Sequence, residues 1–193
     1  MATTDWKFAG TGESINDGGA AWSNPGNIVS SNNSYATANL GSIGSTESDS
    51  LRATSFGFTT SDIPDGSTIV GIEVGIEKDA NGTGAGINDV DVFLRTSGGR
   101  VGTNHAVGGN WPTSDAETIY GGAADNWSAG LNDATVRSAD FGCELTVARN
   151  NGTSVNARVD AIRIRITYTE AGGGAIGIGL TKSKLLERMR LVS

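Results

Sequence analysis

The chain carries one histidine, His105, in the loop GTNHAVGGN. A single imidazole cannot build a multi-histidine zinc site or an HExxH helix, and without a GxSxG turn a Ser-His-Asp hydrolase lacks its nucleophile elbow. Carboxylates are more plentiful: Glu73, Glu77, Asp89, Asp91 and Glu144 could supply the acid and the base of a glycosidase. Acidic side chains on the polar face of exposed strands are the ordinary alternative, so the sequence indicates a protein that is not an enzyme, with no catalytic residue assigned.

The run DANGTGAGINDVD offers Asp79, Asn81, Asn88, Asp89 and Asp91 as oxygen donors for calcium. Its spacing departs from the EF-hand pattern, and loop solubility explains the same residues, so no metal is assigned. The glycine runs fit neither GxGxxG between a strand and a helix nor GxxxxGK[ST], and no cofactor is expected. Trp111, Tyr120 and Trp127 are the residues that could stack on sugar rings if they converge on a surface. The favoured expectation is that these aromatics plug the ends of a β-sandwich.

Such residues need elements to hold them, and composition bounds what those are. Within 193 residues there are 29 glycines but only 3 prolines, a balance that suggests many tight turns and bulges. One cysteine, Cys143, on the apolar parity of FGCELTV, reads as a small buried hydrophobe and permits no intrachain disulfide. The N-terminal run MATTDWKFAGTGES lacks both a basic segment and an apolar one, so synthesis in a cytoplasm without a signal peptide is expected, and no membrane partner. Net charge is −7, of which residues 181–193 contribute +3, leaving −10 on the rest. An acidic body argues against nucleic acid as a partner, because phosphate contacts need clustered Lys and Arg.

Alternation of period two gives the strands. Ile72, Val74 and Ile76 share a face against Glu73, Gly75 and Glu77, and Val90, Val92 and Leu94 alternate with Asp91, Phe93 and Arg95. These two runs read as a hairpin with a long glycine-rich loop, and Asn150-Asn151-Gly152 reads as a second hairpin turn. Short strands are expected around Ile28 and from Tyr35 to Leu40, and the stretch from Ser97 to Asn132 reads as loop. In VNARVDAIRIRITYTE, Val155, Ala157 and Val159 share one face and Ile162, Ile164, Ile166 and Tyr168 fall on the opposite parity, which marks a bulge, or a strand crossing from one sheet to the other, at Asp160 and Ala161. The fold class is therefore all-β, an antiparallel β-sandwich over residues 1–170, jelly-roll-like, with immunoglobulin-like connectivity as the alternative.

Residues 171–180 form a glycine-rich hinge, and 181–193 a basic amphipathic tail, either a short terminal helix or an extended anchor. Leu185, Leu186, Met189 and Val192 recur at helical spacing among Lys182, Lys184, Arg188 and Arg190. An isolated helix of about twelve residues is marginal in water and needs a surface. That surface is its own sandwich, a membrane or a partner; in the last case Ile176, Ile178, Leu180, Lys184, Leu185, Leu186, Arg188, Met189 and Arg190 are the anchor.

Taken together, SNPGNIVSSNNSYATANLG, GFTTSDIPDGSTIVGIEVGIEKDA, TIYGGAADNWSAGLN, FGCELTV and VDAIRIRITY resemble a β-sandwich that recurs in virion proteins of tailed bacteriophages, over residues 22–168. The Ile-Pro-x-Gly turn, the Tyr-Gly-Gly segment running to Trp127 and the closing strand carry the resemblance. It implies a virion location and a structural role, a capsid decoration (cement) or head-fibre protein docked on capsid or tail subunits, or else a glycan-binding tail or fibre module that recognises the host surface. A homo-oligomer, a trimer by symmetry with such proteins, is expected.

Overall fold

The computed structural model describes residues 1–41, 46–82, 86–150 and 154–172. The tail and every residue of the expected anchor, Ile176, Ile178, Leu180, Lys184, Leu185, Leu186, Arg188, Met189 and Arg190, lie outside the described residues. The strands, in chain order, are β1 (Ala2–Thr3), β2 (Lys7–Phe8), β3 (Thr11–Ile15), β4 (Trp22–Ser23), β5 (Ala36–Leu40), β6 (Ser50–Thr54), β7 (Thr68–Asn81), β8 (Ile87–Thr96), β9 (Gly99–Val101), β10 (Ala116–Gly122), β11 (Gly142–Arg149) and β12 (Val155–Thr169). A 3-10 turn covers Pro25–Ile28 and a one-turn helix, α1, covers Asp133–Val136.

The first sheet runs β10, β7, β12, β5, β4, with β1 and β2 also paired to β12; the second runs β3, β6, β11, β8, β9. Adjacent strands are antiparallel throughout. The order has a simple logic: β5 pairs with β12, β8 with β9, and between them β6 with β11 and β7 with β10. Such nested pairs, folded over into two layers, are a jelly roll, which decides against immunoglobulin-like connectivity.

Two expected hairpins are corrected by this topology. β7 belongs to the first sheet and β8 to the second, and β11 and β12 are likewise divided, so the glycine-rich loop and the Asn150 turn both cross between layers. Alternation cannot separate these cases, because strands of both sheets turn their apolar side to the same interior. The two crossings meet at one end, where the Asn150 amide donates to the Gly86 carbonyl at 2.8 Å. Ile28 sits in the 3-10 turn and not in a strand, and the Ser97 to Asn132 stretch contributes β9 and β10.

The interior is filled from both layers: Ile72, Val74, Ile76, Ile162, Ile164 and Ile166 face Leu51, Val92, Leu94, Cys143, Leu145 and Val147, all buried. Each large aliphatic side chain so buried contributes about 1.5–3 kcal/mol. Cys143 is the small core hydrophobe expected, its thiol pushed up by burial. The face change of β12 is also present: Val159 opposes Lys78 and Ala161 opposes Glu77, leaving Asp160 as the extra residue of a bulge.

Candidate functional site

The three candidate sugar-stacking residues come to rest inside the protein. Trp111, Tyr120 and Trp127 are 4%, 1% and 0% exposed, so their ring faces are covered: they are the core plugs favoured from the sequence, and the alternative platform on these residues is set aside. Trp127 donates from its indole to the Ile72 carbonyl at 2.9 Å and carries His105 against its ring at a centroid distance of 3.9 Å. Gly121 is required beneath it: its φ is +74°, and an added Cβ would lie 2.3 Å from the indole nitrogen. That is the physical content of the Tyr-Gly-Gly to Trp127 segment. His105 is fully engaged, with Nε2 2.7 Å from Asp125 and Nδ1 3.1 Å from the Thr103 carbonyl, leaving no ring nitrogen for a nucleophile.

Trp111 and Tyr120 do meet, around a residue that the calcium reading had placed in a loop. Asp89 is buried and accepts from the Trp111 indole at 2.7 Å, the Tyr120 hydroxyl at 2.8 Å and the Lys78 ammonium at 2.9 Å. Lys78, itself 2% exposed, lies 4.5 Å from the Trp111 ring centroid and also contacts the Tyr120 hydroxyl. Burial lowers the Lys78 pKa, and the Asp89 charge and hydrogen bond work against that shift. The arrangement is a buried ion pair with its hydrogen-bonding capacity met, which is how a core tolerates charge. Sequence reasoning missed Lys78, although it continues the inward parity of Ile72, Val74 and Ile76.

The carboxylates among the calcium-donor candidates Asp79, Asn81, Asn88, Asp89 and Asp91 are kept apart by the same geometry. Asp79 pairs with Arg158 on the outer face of the first sheet, Asp91 pairs with Arg100 at 2.7 Å on the outer face of the second, and Asp89 lies between the sheets. Asp89 and Asp91 would share a face by alternation, but a bulge at Val90, where Thr146 opposes Asp91 and Val147 opposes Asp89, turns them to opposite faces, so the carboxylates do not converge.

The outer face of the second sheet gathers the groups most suited to an external ligand. Its centre is Glu144 on β11, whose Oε1 accepts from Arg52 and Arg95, each at 3.0 Å, and whose Oε2 accepts from Arg100 at 2.8 Å. Burial works to raise the Glu144 pKa, but hydrogen bonds from Arg100 and Arg52, with their charges, outweigh it and hold the carboxyl below its usual range. Arg100 also donates to Asp91 and, at 2.7 Å, to Ser50. Beside this network opens a pocket of about 430 Å³ lined by Asp17, Gly18, Gly19, Thr46, Glu47, Ser48, Val90, Asp91, Arg100 and Thr146.

Its walls are built from backbone. Asp49, buried, accepts the Gly19 amide at 2.9 Å; Ala20 donates to the Glu47 carbonyl at 2.8 Å, and Ser48 to Val147 at 2.9 Å. Gly19 lies so close to Ser48 that an added Cβ would sit 2.2 Å from its carbonyl carbon. Three carboxylates, a guanidinium and hydroxyls in a recess of this size can bracket a polyhydroxylated molecule with donors and acceptors together. No sequence signal pointed to Asp17, Glu47 or Arg100, which come from three separate segments. No family model matches the chain, and neither a curated protein nor a solved structure does.

Proposed function

We propose that this is a structural protein of a tailed-bacteriophage virion, a capsid decoration or head-fibre component whose sandwich faces outward and whose C-terminal tail docks on other virion subunits. The observation that carries the reading is that the strands found among the described residues already complete a jelly roll by Thr169. The run from Thr181 to Ser193 follows it in sequence, is basic and amphipathic, and is of opposite charge to the rest of the chain. Jelly rolls are a recurrent architecture of capsid and lectin domains, which fits a particle-surface role. Four of the five carboxylates considered as catalytic partners are tied to cations: Glu144 and Asp91 to arginines, Glu73 to Arg165 and Asp89 to Lys78. The test compares the full chain with a version ending at Glu170 for binding to virions or expanded capsids that lack the protein. Loss of binding by a truncated form that keeps its β circular dichroism supports the anchor, and equal binding rejects it. Sedimentation of the full chain tests the expected trimer.

A second reading, a module that binds a host-surface glycan, is favoured by the pocket beside Arg100. It differs from the aromatic platform in relying on charged and hydroxyl groups. Glycan-array binding that is lost in Arg100→Ala and Asp17→Ala would support it; signal unchanged in both variants would reject it.

A further inference from the structure

Under the segment that leads from the 3-10 turn to β5, three carboxylates meet on the outer face of the first sheet. Glu77 of β7, Asp115 just before β10 and Asp160 of the β12 bulge each bring an oxygen within 4.8 Å of the other two. The bulge is what recruits Asp160, since it is the residue without a cross-strand partner. Asp160 is 1% exposed; its Oδ2 accepts the Asn32 amide at 2.9 Å, while its buried Oδ1 has no hydrogen-bond partner. Asp115 repeats the pattern, with Oδ2 bonded to the Tyr35 hydroxyl and Oδ1 buried and unpartnered.

The neighbouring cations are already committed. Arg158 pairs with Asp79, donating from Nε at 2.7 Å, and stacks on the Tyr35 ring; Arg163 is held by both oxygens of Glu117 at 2.6 Å. Arg163 and Arg158 therefore reach Glu77 and Asp115 only through space, and none of the three carboxylates has a salt bridge among the described residues. Buried charge without a partner is costly, and two orphaned carboxylate oxygens in one acidic group specify what is missing.

We propose that Glu77, Asp115 and Asp160 bind one calcium ion. The donors are all oxygen, the preference of a hard cation, and calcium bond lengths of about 2.3–2.6 Å place ligands on one ion up to about 5 Å apart. A cleft of about 190 Å³, lined by Phe8, Ser31, Glu77, Glu117, Ala161 and Arg163, reaches Glu77 from solvent and gives entry to the ion and to the waters that fill its remaining positions.

The experiment uses the full chain stripped with EDTA, then titrated with calcium chloride by calorimetry and followed in parallel by thermal unfolding. Calcium at a hundredfold excess over its Kd raises the unfolding midpoint by about 5–10 °C. Asp115→Asn and Asp160→Asn each weaken binding at least tenfold and remove that shift. Asp115 is only half-buried, so its variant keeps the test decisive if Asp160→Asn does not fold. Absence of heat and of any midpoint shift at about 10 mM calcium, beyond the weakest extracellular calcium modules, overturns the proposal. So does a shift that persists undiminished in Asp115→Asn, and an equal response to magnesium overturns the choice of ion.

Discussion

Glu77 and Lys78 are consecutive residues of one strand, and they show two ways of placing charge in a β-sandwich. Lys78 points inward and meets Asp89, and donors from Trp111 and Tyr120 complete that carboxylate's shell. Glu77 points outward and meets two further carboxylates, with no salt bridge among the described residues. The inward cluster carries its counter-charge in the sequence; the outward one, in our proposal, takes it from solution as calcium. A buried group with all its partners inside the chain serves the fold, whereas one lacking a partner marks a place where something else binds.

The largest break of this contrast is Asp89→Leu, which strands the Lys78 ammonium in the core and lowers stability by about 3–5 kcal/mol in urea unfolding. The double change Lys78→Met with Asp89→Leu returns most of that loss, because two apolar groups leave no orphaned charge. If the double variant is as unstable as the single one, the pair is more than a neutralised charge. Glu144→Gln is the next effect in size, about 1.5–3 kcal/mol, since three arginines share that carboxylate. The folded pKa of Glu144 lies below its unfolded value, so its contribution is complete above the unfolded carboxylate range near pH 4.3 and fades as pH falls through the folded value. Stability measured between pH 6 and pH 3 therefore drops less steeply in Glu144→Gln than in the parent.

Tyr120→Phe removes one donor from Asp89 while sparing the ion pair and costs about 1 kcal/mol. The smallest effect sharpens the outward cluster. Tyr35 ionises late, pushed up to about 12 by its hydrogen bond to Asp115, then by burial and by the Asp115 charge. Asp115→Asn lowers it toward the ordinary tyrosine value in an ultraviolet titration, and a titration unmoved by the substitution would separate Tyr35 from the carboxylate group.

Much of the fold was legible in residue pattern. The parity change of β12 placed its irregularity at Asp160 and Ala161, next to the bulge found at Asp160, because a slip of one in a period of two leaves a visible trace. Layer assignment was not legible: DANGTGAGIN and the Asn150 turn look the same whether they fold back within a sheet or cross to the other. The sites fared worse. Trp111, Tyr120 and Trp127 are singled out by the sequence, with core plugging favoured over a sugar platform, but nothing in it joins the first two to Lys78, although Lys78 sits at an inward position. The group of Glu77, Asp115 and Asp160 joins three strand regions that touch only through sheet order, and sheet order is not written in periodicity.

The central place of β12 constrains how the molecule is made. It pairs with β7 along nearly its whole length and also with β5, β2 and β1, so segments synthesised first wait for the segment synthesised last among the strands. A ribosome adding about 5–20 residues per second exposes β1, β2 and β5 well before their neighbour exists. Long-range closure of this kind is slow, and a stop codon within β12 would not trim the first sheet but leave it unassembled.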